Sequence, residues 1–292
     1  MPSTRDIRRR IRSVKNTAQI TKAMQMVASS KMRRAQQSAL AGRPYASMLN
    51  QVLGNVAFHA GDFTHPLMEQ REVRKRCIIL VSTDKGLCGA LNANLMREAA
   101  KADKDSTLYI TAGRKAAQFI ARARRKLVAE FSYKDAPLFS EARAISRAAQ
   151  EMFLNGEVDT VEVLFTEFIN TLSQKPQLRP LLPVGEIKPV VAGIPEPKEE
   201  QKLMHGATEF LFEPSVDEVL GAMLPHSLNF QVYQILLEAK ASEQSARMVA
   251  MKNATDNANQ LIKDLTLEYN KMRQAAITKE LLEISSAAMA VA

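Results

Sequence analysis

The chain has 292 residues, 46% hydrophobic and 24% charged, with 5% aromatic side chains, no Trp and a net charge of +9. That length allows one large domain or two modest ones with a sizeable core, and the composition is that of a soluble globular protein. No run approaches the roughly 18 apolar residues of a membrane span, no apolar core follows the basic N-terminus as a secretory signal requires, and Cys77 and Cys88, outside any CxxC pair, give no metal or disulfide framework.

The charge is unevenly placed. The first 45 residues hold eleven Lys/Arg against a single acid, Asp6. Removing those twelve from the chain's 40 basic and 31 acidic residues leaves a nearly neutral remainder. The same segment, from about Ser3 to about Phe58, reads as one helix. Ser3 or Thr4 can cap it, and Asp6 falls in the first turn, where the helix dipole favours an anion. Positions 7, 11, 14, 18, 21, 25, 28, 32, 35 and 39 advance in alternating steps of four and three, and eight of the ten are apolar. That is a coiled-coil period with a narrow seam of mostly small side chains. Pro44 falls inside the helix, but YASMLNQVLGNVAF continues its pattern beyond.

The middle of the chain alternates. RCIILVSTD reads as a buried strand, ALNANLMREAAK as a helix, STLYITAG as a strand and RKAAQFIARAR as a helix. KLVAEFS, the helix SEARAISRAAQEMF, the strand TVEVLFTEFI and the extended LRPLLPVG follow, then a Pro-rich connector, KPVVAGIPEPKEEQK. Strands alternating with helices predict βαβ units and a mostly parallel, Rossmann-like sheet.

Near Pro214 a short helix, SVDEVLGAML, begins, which Pro225 is expected to interrupt. From there to about Ala288 the chain has neither Pro nor Gly, and Leu228, Val232, Ile235, Ala239, Ser242, Ala246 and Val249 repeat the four-three steps. Roughly 60 helical residues make a rod of about 90 Å. Such a rod needs a partner along its length, and the N-terminal helix is the obvious one. The fold class predicted is α/β: an antiparallel coiled coil of residues 1–58 and 209–292, with an α/β domain at 74–195 inserted between them.

Catalytic residues are hard to find. In STDKGLCGALN, Gly86 and Gly89 open a helix where a phosphate could meet backbone N–H groups, but neither GxGxxG nor the Gly-Lys-Ser/Thr of a Walker A loop is present. Glycines shaping a tight turn are the simpler reading. Cys88 has no histidine in a recognisable pattern with it and reads as a buried thiol. His59, His65, His205 and His226 are scattered through what read as connecting regions, and Glu199 and Glu200 as solvated linker charge. No catalytic, cofactor or metal site is expected. The basic helix suits nucleic acid, an acidic membrane surface or acidic protein. It lacks interleaved aromatics, and its charges share turns with the seam instead of preceding it, which favours a rod surrounded by protein. A coiled-coil nucleic-acid binder is the alternative.

At IRRRIRSVKNTAQITKAMQMVASSKMRRAQ, at STDKGLCGALN, and most strongly at ASEQSARMVAMKNATDNANQLIKDLTLEYNKMRQAAITKELLEI, the chain closely resembles the γ subunit of the F-type ATP synthase. The segments are long, specific and in the family's order over nearly the full length. The resemblance implies a non-catalytic rotor shaft within a ring of three α and three β subunits, whose foot meets the c ring and the ε subunit. Its turning would couple proton or sodium flow to ATP formation. By the same resemblance Met24 matches the position facing the acidic lever segment of the β subunit, and Glu243 and Arg247 match positions near the same contact. Arg273, Gln274, Thr278 and Glu280 match the polar cluster at the β-subunit catch loop. Phe210 and Glu213 match the foot region on the c ring, where a Tyr is common in place of Phe210. The chloroplast form's cysteine-containing insertion is missing, so thiol control is not expected. With no presequence recognised, the expected location is the cytoplasmic face of a bacterial plasma membrane, held peripherally through the c ring.

Overall fold

The computed structural model describes residues 3–59, 65–184, 213 and 215–291. They fall into two compact units, Met1–Ser29 with Arg247–Ala292, and Ser30–Ala246. Two long helices, α1 (Thr4–His59) and α5 (Val216–Val291), run through both.

The first unit is a helix pair. Ser3 and Asp6 start α1 as a reciprocal cap: the Asp6 N–H donates to Ser3 Oγ at 3.3 Å, and the Ser3 N–H and hydroxyl donate to Asp6 Oδ2 at 3.3 and 2.8 Å. These bonds to Ser3 hold the Asp6 carboxyl below its ordinary value. The expected seam is real: its seven positions in this unit, from Ile7 to Ala28, are buried or half-buried, as are its three in the other unit, while most residues between them are exposed. Opposite them on α5, Met251, Thr255, Ala258 and Leu265 are buried, again in four-three steps with one position skipped. The hydroxyls of Thr21 and Thr255 meet at 2.7 Å and set the register. Antiparallel steps from that pair bring Ala18 level with Ala258, Ile11 with Leu265 and Ile7 with Tyr269.

In the second unit a five-stranded sheet has the order β3-β2-β1-β4-β5. Its strands are β1 (Arg76–Val81), β2 (Thr107–Ala112), β3 (Lys126–Phe131), β4 (Thr160–Phe168) and β5 (Gln174–Leu182). The β1–β2, β1–β4 and β2–β3 pairs are parallel, and β5 returns antiparallel along β4. Helices α2 (Leu91–Ala100), α3 (Arg114–Arg122) and α4 (Phe139–Leu154) complete the expected crossovers.

Alternation along β1 divides the core. Ile78 and Leu80 face Leu95 and Ala99 of α2 and Ile120 of α3. Cys77, Ile79 and Val81 face the other way, into a cluster with Ile145, Ala149 and Phe153 of α4 and Leu228, Val232, Ile235 and Leu236 of α5. The long C-terminal helix is therefore part of the domain's hydrophobic core.

Pro225 does not interrupt that helix, contrary to the expectation from sequence; α5 is continuous from Val216 to Val291. Proline removes one backbone bond, but Leu220, Leu224 and Leu228 on either side are all buried, and their packing outweighs it. Pro44 is likewise inside α1. Nor do all the histidines lie in connecting regions. His59 belongs to α1, and His226, within α5, shares a 2.7 Å hydrogen bond with the Tyr45 hydroxyl. His65 caps the 3-10 turn Pro66–Met68, its Nδ1 accepting from the Leu67 N–H at 3.1 Å.

Candidate partner-contact surface

The β1–α2 loop has the structure of a packed turn. Thr83 Oγ1 donates to the Lys85 carbonyl at 2.7 Å and accepts from Asn92 Nδ2 at 2.7 Å; the same amide donates to Cys88 Sγ at 3.3 Å. Leu87 and Gly89 adopt positive φ of 64° and 60° to close it. Cys88 is buried, as is Cys77 in β1, whose thiol burial pushes up to about 12. Among the described residues no group of His, Cys, Asp and Glu is arranged to hold a metal ion.

The surface of the helix pair is different. Thirteen Lys/Arg and six Asp/Glu fall in residues 1–29 and 247–292, which concentrates most of the chain's positive excess there. Ile20, Met26 and Val27 on α1 and Leu267 on α5 are more than half exposed among those charges.

The register fixed by Thr21 and Thr255 has a second consequence. It brings Ser3, at the start of α1, level with Arg273. From Arg273 to Ser286 every residue of α5 is exposed, including Ile277, Leu281, Leu282 and Ile284. Its leucines, at about 62–65% exposure, leave apolar side chains open to solvent over this stretch. Arg273, Gln274, Thr278 and Glu280 all lie on this overhang. The Thr278 hydroxyl donates back to the Gln274 carbonyl at 2.9 Å. Met24 and Arg247 are half-buried, and Glu213 is exposed. Phe210 lies outside the described residues.

Glu243 is placed otherwise. Its side chain is 4% exposed, and its carboxylate receives the Lys240 ammonium, itself 4% exposed, at 2.8 Å. Lys240 also lies 3.5 Å from Asp135 in the loop before α4 and 4.9 Å from the Tyr133 ring centroid. Asp135 receives Lys31 of α1 at 2.5 Å. That hydrogen bond, with the Lys240 charge nearby, holds the Asp135 carboxyl below its ordinary value. Burial, with the Glu243 carboxylate second, pushes the Tyr133 phenol well up. Sequence reading assigned Glu243 by resemblance and missed Lys31, Tyr133, Asp135 and Lys240 altogether. The run of Lys, Ser and Glu around the seam positions 239 and 242 was a usable signal for Lys240; nothing local marks Asp135.

Two long terminal helices, paired antiparallel and carrying an inserted mixed sheet, define a class of helical stalk with an α/β insertion. The ATP synthase family (ATP-synt) matches residues 3–291 of the chain. ATP synthase gamma chains of Opitutus terrae and Methylacidiphilum infernorum are 50% and 46% identical, each alignment covering 100% of both chains. The chain belongs to the ATP synthase gamma chain family. Among solved structures, a chain of the Euglena gracilis mitochondrial ATP synthase matches with TM-score 0.68 at 19% identity, covering 99% of this chain and 94% of that one. One from the central stalk and c-ring of the Tetrahymena thermophila enzyme gives 0.61 at 24% identity, covering 80% of this chain and 99% of that one. At these identities the likeness is one of fold.

Proposed function

We propose that this chain is the central rotor shaft of an F-type ATP synthase, a non-catalytic subunit whose turning couples ion flow through a membrane c ring to ATP synthesis or hydrolysis in an α3β3 ring. The observation that carries this reading is the α5 overhang, fourteen consecutive exposed residues rich in Leu and Ile. A solitary helix that exposes Ile277, Leu281, Leu282 and Ile284 gains stability when something covers them. An enclosing ring supplies that on every side at once. The excess of Lys/Arg on the helix pair would attract acidic segments of the ring, and an asymmetric shaft biases otherwise equivalent sites by contacting each differently.

Arg273, Gln274, Thr278 and Glu280 are the proposed contacts with the β-subunit catch loop, and Met24 and Arg247 with its lever segment. Glu243 serves the same region from within by fixing Lys240. Glu213 and Phe210 belong to the proposed foot on the c ring, where ε also docks. No described helix is long and apolar enough to cross a membrane, which fits attachment through the c ring at the cytoplasmic face of a bacterial plasma membrane. The domain divisions at 1–58, 74–195 and 209–292 are part of the same proposal: shaft, foot, shaft.

Tagged chain purified from detergent-solubilised membranes tests the reading. Recovery of one copy with three α and three β subunits and ATPase activity is expected. Recovery alone, or with nucleic acid, would reject it.

A further inference from the structure

The stretch of α5 from Ala239 to Ser245 is buried on all sides, yet it reads Ala-Lys-Ala-Ser-Glu-Gln-Ser. Burying that much polarity is costly unless every charge is matched, and here the partners come from elsewhere in the same unit. On one side, Lys240 meets Asp135 and the face of Tyr133, whose hydroxyl donates to the Ser82 carbonyl at 2.9 Å at the end of β1. On another side, the Ser245 hydroxyl donates to the Thr171 carbonyl at 2.8 Å in the β4–β5 turn, and Gln174 reaches the same hydroxyl at 3.4 Å. Asp135 also takes Lys31 from α1, so one carboxylate of the α/β domain holds lysines from both long helices. Lys31, Asp135, Lys240 and Glu243 together make a neutral quartet.

We propose that this cluster is a rotational clamp, with Asp135 as its pin, fixing the angular position of α5 in the α/β domain. The inference rests on the rotor reading, because only a shaft that carries torque needs such a joint. The apolar packing of Leu228, Val232, Ile235 and Leu236 holds the helix in place, but hydrophobic contact is non-directional and opposes a small turn about the helix axis only weakly. The Ser245–Thr171 hydrogen bond, at 2.8 Å, is short and directional, and the Lys240–Asp135 ion pair, at 3.5 Å, weakens as a turn draws the two charges apart. Lys240 and Ser245 are five residues apart, which at 3.6 residues per turn separates them by about 140° around the axis. Contacts that far apart resist turning in both senses. A turn of α5 also carries Lys240 and Glu243 away together and splits the quartet, leaving Asp135 with Lys31 alone. Asp135, Lys31 and Ser245 are positioning residues: they touch no substrate and act through α5.

The test uses the assembled α3β3 complex with this chain. Cys77 and Cys88 are buried, so Lys104→Cys, at an exposed position, gives one reactive thiol in the α/β domain for a bead. With the ring fixed to a surface, the angular variance of the bead during a catalytic pause reports the torsional stiffness of the joint. Asp135→Asn is expected to raise that variance at least twofold, Lys31→Met to raise it less, and Asp135→Glu to return it toward wild type. A purely structural role would lower the yield of complex and leave the variance of assembled molecules unchanged; wild-type variance in Asp135→Asn overturns the clamp. Should Asp135→Asn not assemble, Ser245→Ala decides, with raised variance supporting the clamp and wild-type variance overturning it. Failure of the wild-type chain to assemble with α and β would instead overturn the rotor reading.

Discussion

The hydroxyls of Thr21 and Thr255 lie 2.7 Å apart within a seam made mostly of apolar side chains. Thr255 is within 2.8 Å of the Met251 carbonyl and Thr21 within 3.1 Å of the Ala18 carbonyl. Each hydroxyl has one proton, so one threonine must donate across the seam while the other donates back along its own helix. The pair acts as a unit and fixes which residues of α1 and α5 stand level. Replacing either by Val should cost about 1 kcal/mol. The double replacement, which leaves no unpaired hydroxyl, should cost less than the two singles added. A double-mutant cycle by urea unfolding measures the difference.

Two glycines should respond very differently to alanine. At Gly113 φ is +103°, and a Cβ would stand 2.3 Å from the Ser82 carbonyl oxygen, in backbone that cannot yield. Gly113→Ala should cost about 3 kcal/mol or more. At Gly42 the obstacle is Gln234 Nε2 at 2.1 Å, the end of a side chain whose amide nitrogen has no hydrogen-bond partner. Moving it loses no bond, and alanine gains up to about 1 kcal/mol in a helix. Gly42→Ala should therefore stay within about 1 kcal/mol of wild type, as read from thermal melting.

Arg273→Ala with Gln274→Ala should leave the fold untouched and weaken retention of the shaft. Both residues are exposed on the overhang, where substitutions usually fall within about 0.5 kcal/mol. Melting of the isolated chain checks the first half. Recovery with α and β subunits, and ATP-driven ion pumping, check the second; unchanged assembly with unchanged coupling would remove these residues from the contact.

Acid should loosen the clamp. The Asp135 carboxyl is held below its ordinary value chiefly by Lys31, so the folded state binds this proton less readily than the unfolded one. Its contribution to stability is complete above the unfolded carboxyl's pKa and is lost as pH falls through the folded value. Asp135→Asn should flatten the decline in stability below about pH 4. Its half-exposed side chain keeps the effect small. Urea midpoints of both proteins between pH 7 and 3 measure it.

Cys77 should resist alkylation in the folded protein. Its thiol is buried and pushed up to about 12, so the reactive thiolate is scarce at pH 8. Labelling by iodoacetamide should appear only as urea unfolds the chain, tracking the loss of helical signal.

Local pattern was enough for the elements. The four-three steps from Ile7 to Ala39 require one buried face on a helix, and the unbroken apolar run in RCIILV requires a strand covered on both sides. Burial follows both. The same periodicity marked out an unbroken C-terminal helix, because a stretch without Pro or Gly has nothing to end it. It failed at Pro225, where the burial of Leu220, Leu224 and Leu228 on either side of it in the helix outweighs one missing backbone bond.

What the sequence determined by itself is the kind of protein: two seam-bearing helices around an α/β insertion, with motifs specific enough to place the family. Tertiary structure alone decided the register and the clamp. Periodicity is unchanged when one helix slides past another by a heptad, so only the meeting of Thr21 and Thr255 shows that Arg273 lies beyond the end of α1. Asp135 gains its meaning the same way. Lys31 and Lys240 are 209 positions apart in the chain, and folding sets both against one carboxylate; Lys240 is buried, and a buried ammonium must find an opposite charge wherever the chain brings one.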